Sequence, residues 1–334
     1  MSTYFLRPKL EYNSKYFFAF LFCQIGQKQI KRMISGATQR GITRNIFGKV
    51  LIPLPPRAVQ DRIADIMDEA HKIKKEKEAE QLLSSIDDYV LSKLGIKLPE
   101  LKEERYYPVT FAAIKGGRLD ASYYQPKYRL IIEALKKGKY SVKTIGNLSL
   151  GIVNGLDFRR FTEEGTPYLR VGNIKPNEIN DSAIKFVPVS LKSVRKNVRL
   201  NVGDVLLTRK STFGISAVVD EKTKYLISSE IMRLQLEQET IDPSYFSVVN
   251  NTRIIQSQYQ QNAVGAIMGS LSQEVVKNLL IPLPPLAIQQ KIAKEVNSRR
   301  RRAKQLKQHS TKLIEDAKQK VEKVILERKK CLSF

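Results

Sequence analysis

The sequence predicts an α+β fold in which one globular domain is combined with two long helices that pair as an antiparallel coiled coil. Three observations lead to this prediction. A six-residue motif occurs twice at an offset of 229 residues, and each copy is followed by a long stretch without Pro or Gly. Between the copies, short β-rich runs alternate with Gly and Pro. Together these patterns indicate an internal repeat whose units share an arm and a long helix.

The repeated motif is Leu-Ile-Pro-Leu-Pro-Pro, which forms Leu51–Pro56 and recurs as Leu280–Pro285. The match continues in register on both sides of the motif. The further pairs at the same offset include Tyr16 with Tyr245, Phe17 with Phe246, Gln29 with Gln258, Gln60 with Gln289 and Ile63 with Ile292. Six identical residues inside a longer match indicate a duplication rather than chance.

Each motif is predicted to form a stiff extended arm that ends where a helix begins. Proline lacks a backbone N–H and pushes the preceding residue into an extended conformation, so the motif cannot be helical inside. Its last proline suits the first turn of a following helix. Apolar residues at helical spacing come after each arm, which predicts helices over Arg57–Leu94 and Leu286–Lys330.

The two long helices are expected to pack against each other along narrow apolar stripes. The first helix is acidic in its middle, whereas the second carries Arg299–Arg302. The residues predicted to form the helix-pairing seam are Ile63, Met67, Ile73, Leu83, Ile292, Val296, Leu306 and Leu313. Two unrelated solvated helices with ordinary charge runs are the alternative explanation of the same pattern.

The residues between the helices predict an α+β globular domain over residues 106–279. The predicted strands include Tyr168–Val171, Val205–Thr208, Ile215–Val219 and Ile231–Leu236, and the predicted helices are Tyr128–Lys136, Pro243–Asn251 and Thr252–Gln261. The chain is thus expected to have four parts, with bounds 1–50, 51–105, 106–279 and 280–334. The repeat offset predicts that the first part is the C-terminal remnant of a domain like residues 106–279.

Composition limits the class of protein. Lys and Arg number 58 against 33 Asp and Glu, and the resulting net charge of +25 favours a polyanion as partner. With 42% hydrophobic residues the chain can bury sizeable cores, which excludes wholesale disorder. No apolar run approaches the roughly 20 residues of a membrane span, the N-terminus lacks a signal-peptide pattern, and Cys23 and Cys331 offer no disulfide framework. We therefore expect a soluble, cytoplasmic protein.

Motifs for catalysis and nucleotide binding are missing from the sequence. There is no Gly-x-x-x-x-Gly-Lys-Ser/Thr phosphate loop, and no Asp/Asn-Pro-Pro-aromatic motif of the kind that amino-methyltransferases use. His71 and His309 both fall on the predicted long helices, where a tolerated polar position is commoner than a catalyst. We therefore expect no catalytic residue, no metal site and no bound cofactor in this chain.

Candidate nucleic-acid contacts lie in polar loops and one polar helix. Thr208–Gly214 combines cations, hydroxyls and glycine after a predicted strand, which suits phosphate oxygens. Elsewhere Arg, Asn and Gln, the types that read base edges, lie beside aromatic residues. The candidate DNA-binding residues are Arg159, Arg160, Arg170, Asn173, Thr208, Arg209, Lys210, Ser211, Thr212, Arg253, Gln260 and Gln261. A plain polar hairpin, strand-edge charges and a solvated amphipathic helix are the alternatives.

As a whole, the sequence resembles the specificity subunit of type I restriction–modification systems. The resemblance is carried by the duplicated Leu-Pro-Leu-Pro-Pro arm with its Ala-x-Gln-x-basic-Ile-Ala helix start, and by Gly203–Gly214 and Arg118–Pro126. It extends over essentially the entire chain. Such subunits hold two target-recognition domains, each followed by a long helix. The resemblance therefore implies one intact target-recognition domain over residues 106–279 and a truncated first one over residues 1–50.

The resemblance also implies a division of labour among subunits. Each recognition domain would read half of a bipartite double-stranded DNA target, and the coiled coil would dock methyltransferase subunits. S-adenosylmethionine, ATP and Mg²⁺ would belong to partner subunits, namely an adenine-N6 methyltransferase and an ATP-dependent restriction endonuclease. This chain would be non-catalytic. Self-association or a complementary fragment of the same kind would complete the truncated first domain.

Two other functions are open at the level of the sequence. One is a basic coiled-coil adaptor or structural protein whose globular domain binds protein rather than DNA. The other is a nuclease or methyltransferase with an unrecognised active site. Steep salt dependence of DNA binding would separate the first from a DNA-binding subunit. Incubation of the pure chain with DNA, Mg²⁺ and S-adenosylmethionine would reveal the second.

Overall fold

The computed structural model describes residues 12–33, 48–72, 75–100, 102, 104–114, 118–190, 193–220, 225–263 and 270–329. The chain divides into two compact units, one formed by Ser84–Arg299 and the other by Met1–Leu83 together with Arg300–Phe334. The boundary between the units crosses both stretches predicted as long helices. The four-part organisation expected from the sequence stays a prediction.

The chain mixes helices and strands, as the sequence predicts. The helices are α1 (Ser14–Phe22), α2 (Gln24–Met33), α3 (Arg57–Lys72), α4 (Lys75–Lys93), α5 (Phe111–Ile114), α6 (Pro126–Lys136), α7 (Ile145–Leu148), α8 (Pro243–Asn250), α9 (Arg253–Asn262), α10 (Gln273–Asn278) and α11 (Leu286–Lys329). The strands are β1 (Val142–Thr144), β2 (Ser149–Asn154), β3 (Thr166–Leu169), β4 (Ile174–Lys175), β5 (Glu178–Ile179), β6 (Lys185–Val187), β7 (Val205–Thr208), β8 (Ser216–Val218), β9 (Leu226–Ile227), β10 (Ile231–Leu236) and β11 (Leu280–Pro282). Strands β7 and β10 have the predicted bounds.

Strand β10 is central to the main sheet of the unit Ser84–Arg299. This sheet has the order β2-β10-β7-β8 and all its pairings are antiparallel. A second sheet has the order β6-β3-β9, in which β3 pairs antiparallel with β6 and parallel with β9. Strands β4 and β5 form one further pair, and β1 and β11 form another.

Alternation along β7 and β10 gives the main sheet two buried faces. Leu207 and Leu234 belong to the larger core of the unit, whereas Leu206 and Ile231 belong to a separate core. The larger core also takes in the helices α4, α8 and α11 through Val90, Leu94, Tyr245, Phe246, Ile292 and Val296. Both faces of β7 and β10 are thus covered, which explains why β7 is buried along its whole length.

In the other unit, α1, α3 and the C-terminal part of α11 share one core. Its buried residues are Tyr16, Ala19, Phe20, Cys23, Ile63, Met67, Ala317 and Val321. Helix α1 starts at Ser14 because the Asn13 side chain accepts hydrogen bonds from the backbone N–H groups of Lys15 and Tyr16. Helix α2 approaches the end of α1 closely at Gly26, where an added Cβ would lie 2.3 Å from the Phe20 carbonyl oxygen.

The long C-terminal helix predicted from the sequence is α11, which has 44 residues. Helices α3 and α4 cover the other predicted helix except for Leu94, which lies in a turn, and residues 73–74. The predicted seam residue Ile73 therefore lies outside the described residues. Of the other predicted seam residues, four are buried and three are half-buried. The buried ones are Ile63, Met67, Ile292 and Val296, and the half-buried ones are Leu83, Leu306 and Leu313. No helix in the described ranges combines the length and apolarity that a membrane crossing needs.

The two proline-rich arms contain no helix, as their prolines predict. Leu280–Pro282 forms strand β11, in which Pro282 lies opposite Val142 of β1. This position tolerates proline because it is at the end of the strand and β11 has one neighbour in its sheet. Leu51–Pro56 is extended but has no strand pairing among the described residues.

A buried ion pair lies on the β10 face that carries the smaller core. The Arg233 Nε atom is 2.8 Å from Asp204 Oδ2, and the two side chains are 7% and 3% exposed. Asp204 also accepts the Asn201 N–H, and the Arg233 guanidinium donates to the Arg199 carbonyl oxygen. Burial raises the pKa of the Asp204 carboxyl, while Asn201 and Arg233 oppose that rise. The Asp204 charge therefore depends on its partners.

Replacing Arg233 with Leu should lower the free energy of unfolding by about 3–5 kcal/mol, because it leaves a buried carboxylate without its cation. The matched control is Arg160→Leu at an exposed position, which should change stability by less than about 0.5 kcal/mol. Adding Asp204→Asn to Arg233→Leu should restore much of the loss, because the amide oxygen still accepts the Asn201 N–H. Urea unfolding measures all three, and equal effects of the two Arg variants would contradict the assignment.

Candidate nucleic-acid interface

A cluster of cationic and aromatic residues lies around the turn between β2 and β3. Tyr168 holds this cluster together through hydrogen bonds and ring contacts. The Tyr168 hydroxyl donates to the Leu156 carbonyl oxygen (2.7 Å) and accepts the Phe158 N–H (3.4 Å). The Phe158 ring packs edge-on against the Tyr168 ring at 5.5 Å, and the Phe161 ring is tilted against it at 6.0 Å. Burial raises the pKa of the Tyr168 phenol, which therefore stays a neutral donor.

The outer side of this cluster is exposed and carries three arginines. Arg159 and Arg160 are exposed, and Arg159 Nε lies 3.6 Å from an Asp157 carboxylate oxygen. The Arg170 guanidinium carbon lies 5.7 Å from the centroid of the Phe161 ring, which is itself 40% exposed. Guanidinium groups of this kind can bind phosphates or the edge of guanine, and an exposed ring can pack on a sugar or a base.

Asn173 closes the turn that presents Arg170. The residue is 5% exposed. Its side-chain oxygen accepts the Arg170 N–H (2.9 Å), and its amide donates to the Asn180 carbonyl oxygen (2.8 Å). Both polar ends thus have structural partners, and the DNA contact predicted for Asn173 stays a prediction.

The loop between β7 and β8 is held in a tight conformation. The buried Thr208 hydroxyl donates to the Thr212 carbonyl oxygen and accepts the Ile215 N–H at 3.0 Å. Gly214 has a φ of +84°, and an added Cβ there would lie 2.8 Å from the Tyr259 ring. Thr208 therefore supports the loop from inside, and the DNA contact predicted for it stays a prediction.

Arg209 and Lys210 have different surroundings in this loop. Arg209 Nε donates to the Leu271 carbonyl oxygen (3.1 Å), and its Nη1 donates to the Ser229 carbonyl oxygen (3.3 Å). Lys210 is exposed, as are Ser211 and Thr212. Arg209 thus braces the loop against two neighbouring segments, and its exposed neighbours form the surface that phosphate groups can reach.

Two of the three candidate residues on the polar helix α9 contact other parts of the protein. Arg253 forms ion pairs with Asp87 and Asp88 of α4. The Gln261 amide donates to the Tyr123 carbonyl oxygen (3.1 Å). Gln260 is exposed. Arg253 and Gln261 therefore have structural partners, and the DNA contacts predicted for them stay a prediction.

The exposed residues of the cluster around Tyr168 and those of the β7–β8 loop lie on either side of residues 228–230. Ser229 N–H donates to the Leu156 carbonyl oxygen, next to the cluster around Tyr168, and Arg209 N–H donates to the Glu230 carbonyl oxygen. The cluster and the β7–β8 loop thus flank residues 228–230. We call the exposed residues of both sets the basic face, which consists of Arg159, Arg160, Phe161, Arg170, Lys210, Ser211 and Thr212.

Phe161 is the member of the basic face that the candidate set omitted. The sequence Phe-Arg-Arg-Phe over residues 158–161 indicates that an aromatic residue lies beside the arginines, and in the structure the first Phe is half-buried and the second is exposed. The sequence alone does not say which of the two rings faces solvent. Among the described residues, no group of three His, Cys, Asp or Glu side chains is arranged to hold a metal ion.

Specificity subunits of type I restriction enzymes are similar to this chain in sequence. The EcoBI specificity subunit of Escherichia coli is 22% identical over 299 residues, which cover 86% of this chain and 58% of that subunit. The MjaVIII specificity subunit of Methanocaldococcus jannaschii is 20% identical over 332 residues, which cover 95% of this chain and 72% of that subunit. The chain thus spans a little over half of the EcoBI subunit.

The fold is similar to a solved structure from a study of complex assembly and conformational transition of the type I R-M system. The TM-score is 0.51 at 14% identity, and the match covers 95% of this chain and 70% of the other. The model of the family described as type I restriction modification DNA specificity domain matches residues 3–84 and 135–322. These residues make up most of the chain and include the whole basic face, so the chain belongs to the family of type I restriction–modification DNA specificity domains.

Proposed function

We propose that this chain is the specificity subunit of a type I restriction–modification complex and that residues 106–279 recognise one half of a bipartite double-stranded DNA target. The observation that carries this proposal is the basic face. Its cations are exposed on loops that Tyr168, Thr208 and Arg209 hold in place. Preorganised cations are suited to a polyanion because little side-chain and loop freedom is lost on binding.

The residues of the basic face have different roles in this proposal. Lys210, Ser211 and Thr212 contact phosphate oxygens and fix the position of the domain on the duplex. Arg159, Arg160 and Arg170 reach base edges, where bidentate pairing with guanine gives sequence discrimination. Phe161 packs on a sugar or a thymine methyl group beside Arg170. Family membership and the net charge of +25 support this division.

Lys210→Ala should weaken binding to all duplexes and reduce the slope of log K against log salt by about 1, as the loss of one phosphate contact does. Arg209→Ala is the matched variant. It should lower the free energy of unfolding by about 1–3 kcal/mol, because two partly buried carbonyl oxygens lose a charged donor. Fluorescence anisotropy over a salt series and urea unfolding separate the two effects. An unchanged salt slope for Lys210→Ala would remove the β7–β8 loop from the interface.

We also propose that the two copies of the sequence repeat have the same local structure. Three side-chain clamps recur at the offset of 229. The Tyr16 and Tyr245 hydroxyls donate to the carbonyl oxygens of Pro53 and Pro282. The other two pairs are Gln60 Nε2 to Pro55 O (2.9 Å) with Gln289 Nε2 to Pro284 O (2.8 Å), and Gln29 on Leu51 with Gln258 on Leu280. The bounds of α2 and α9 also differ by 229 residues at both ends.

The long helices pair antiparallel in this proposal and form the spacer that docks methyltransferase subunits. In the unit Met1–Leu83 with Arg300–Phe334, Arg302 donates to the Glu78 carboxylate (3.2 Å) and Ser310 to Glu76 (3.1 Å). Farther along, Ala317 and Val321 of α11 share a core with residues of α3. Positions thus fall along α3 and α4 while they rise along α11, which supports the antiparallel direction.

The other unit supports the same direction. Arg299 Nη1 donates to the Ser85 hydroxyl (3.1 Å), and the Arg299 guanidinium carbon lies 4.3 Å from the centroid of the Tyr89 ring. Ile292 and Val296 share a core with Val90 and Leu94 of α4. The apolar residues supply most of the pairing energy in this proposal, because exposed ion pairs contribute only about 0–1 kcal/mol each.

Ile292→Ala should therefore lower the free energy of unfolding by about 2–5 kcal/mol, as the loss of a buried Ile side chain does. Arg301→Ala, at an exposed position of the same helix, should change it by less than about 1 kcal/mol. Urea unfolding monitored by circular dichroism compares the two. If Arg301→Ala cost as much as Ile292→Ala, charge rather than apolar packing would hold the helices together.

A bipartite target needs two recognition domains, of which residues 106–279 provide one in this proposal. Each wrong base pair costs only about 1–3 kcal/mol, so one half-site of a few base pairs gives limited discrimination. In the complex that we propose, methyltransferase subunits bring S-adenosylmethionine for adenine-N6 methylation, and restriction subunits bring ATP-driven cleavage with Mg²⁺. A second copy of this chain or a complementary fragment brings the other recognition domain.

Self-association should give a palindromic, interrupted target, because two copies related by a two-fold axis read the same half-site in inverted orientation. A complementary fragment should give an asymmetric target. Light scattering on the purified chain and mapping of methylated adenines in cells that express it with its methyltransferase distinguish the two. A monomer that directs methylation to a single uninterrupted half-site would contradict both forms of the proposal.

A further inference from the structure

The hexapeptide Leu-Ile-Pro-Leu-Pro-Pro occurs twice, and both copies are held from one side by the same contacts. In the first arm, Leu51 N–H donates to Gln29 Oε1 (3.0 Å) and Gln29 Nε2 donates to the Leu51 carbonyl oxygen (2.9 Å). In the second arm, Gln258 makes the same two bonds with Leu280, at 2.9 Å and 3.0 Å. Because the two arms have the same sequence and the same hydrogen bonds to a glutamine, any other difference between their surroundings can be compared directly.

The opposite edge of the second arm is covered by strand β1. Lys143 lies opposite Ile281 in the antiparallel ladder. The pairing continues just beyond both ends of strands β1 and β11. There Leu283 N–H donates to the Ser141 carbonyl oxygen (2.8 Å), and Ile145 N–H donates to the Leu279 carbonyl oxygen (2.9 Å). Ile281 is completely buried in consequence.

The same edge of the first arm is open among the described residues. Leu51 is 78% exposed and Leu54 is 51% exposed. The N–H groups of Ile52 and Leu54 have no hydrogen-bond partner in the described part of the chain, whereas their counterparts Ile281 and Leu283 lie in the ladder with β1. Residues 51–55 are thus each more exposed than their identical counterparts 280–284, and pairing with strand β1 contributes to the difference.

We propose that the open edge of Leu51–Pro56 is a docking site for a β-strand of the same chemistry as Ser141–Ile145, supplied by a separate polypeptide that carries a recognition domain. An extended segment that adds to an open edge gains main-chain hydrogen bonds and covers the exposed side chains. The strand that pairs with the second arm has Val142 and Ile145 on either side of a lysine and a threonine. A strand of this pattern is therefore the expected occupant of the open edge.

The prolines fix the register of the incoming strand. Of residues 52–56, only Ile52 and Leu54 have an N–H, because the other three are prolines. An incoming strand must place carbonyl oxygens opposite both N–H groups, which is the register that β1 has on β11. The same prolines prevent indiscriminate pairing between strand edges, which explains how an open edge is tolerated in the free chain.

A second copy of this chain is a poorer source for the strand. Its own β1 is paired with β11, so a copy that offered Val142–Thr144 to another chain would open the same edge in itself. A separate polypeptide with an unpaired first strand gains the ladder without that loss. This inference rests on the proposed duplication but not on DNA binding, so its failure would leave the salt-slope test of the basic face untouched.

Amide hydrogen exchange of the full chain, labelled with ¹⁵N and ²H, tests the proposal. The probe is a synthetic peptide with the sequence of residues 139–146, Lys-Tyr-Ser-Val-Lys-Thr-Ile-Gly. In the free chain we expect the Leu54 N–H to exchange at least about 100-fold faster than the Leu283 N–H. At about 1 mM peptide, exchange of Leu54 should slow by at least about 10-fold while exchange of Leu283 stays unchanged.

Four controls make the result decisive. A scrambled peptide, and a peptide with Lys143→Pro, should leave Leu54 exchange unchanged. Leu54→Pro in the chain should keep the thermal midpoint and lose the peptide effect at Ile52. The matched Leu283→Pro should lower the midpoint, because it removes a ladder bond that is already formed.

Four outcomes would overturn the proposal. Slow exchange of Leu54 in the free chain at every protein concentration would mean that another segment of this chain covers the edge. Slow exchange only at high protein concentration would make a second copy the occupant. Equal protection by the scrambled peptide, or none by the native one, would exclude a strand-specific site.

Discussion

The proline-rich arms make the protein dependent on side-chain hydrogen bonds to main-chain carbonyls. An arm with three prolines in six residues has few N–H groups of its own, so its shape has to be held from outside. Tyr245 and Gln289 donate to the carbonyl oxygens of Pro282 and Pro284, and Gln258 binds both main-chain groups of Leu280. Burial raises the pKa of the Tyr245 phenol, which keeps its proton available for this bond. The arm joins α10 to α11, so these bonds set where and in which direction α11 begins.

The same division between inner support and outer contact is found in the basic face. Tyr168 and Asn173 hold the turn that carries Arg170, and Thr208 and Arg209 hold the loop that carries Lys210. The supporting residues bind main-chain atoms, whereas the exposed residues are left to contact a ligand. A surface of this kind is positioned before a ligand arrives, which lowers the entropic cost of binding.

The sequence was sufficient for elements that depend on local pattern. β7, β10 and α11 were predictable because alternation, helical spacing and the absence of Pro and Gly act over short distances. The surroundings of single side chains could not be predicted in the same way. Arg209 and Arg253 bind Leu271 and Asp87, which are 62 and 166 residues away in the sequence. Only the tertiary structure distinguishes a cation that braces a loop from one that faces solvent.

The arrangement of the β7–β8 loop has a consequence for the evolution of its surface. The residues that keep the loop in shape are buried or bound to main-chain atoms, whereas the side chains of Lys210 and Thr212 are exposed. Exposed positions without structural partners generally tolerate substitution at a cost within about 0.5 kcal/mol. Ser211 is the exception, because its φ of +61° strains most side chains. New side chains can therefore be sampled at positions 210 and 212 while the domain stays folded, so the charge of the loop can change in a lineage without passing through an unstable intermediate.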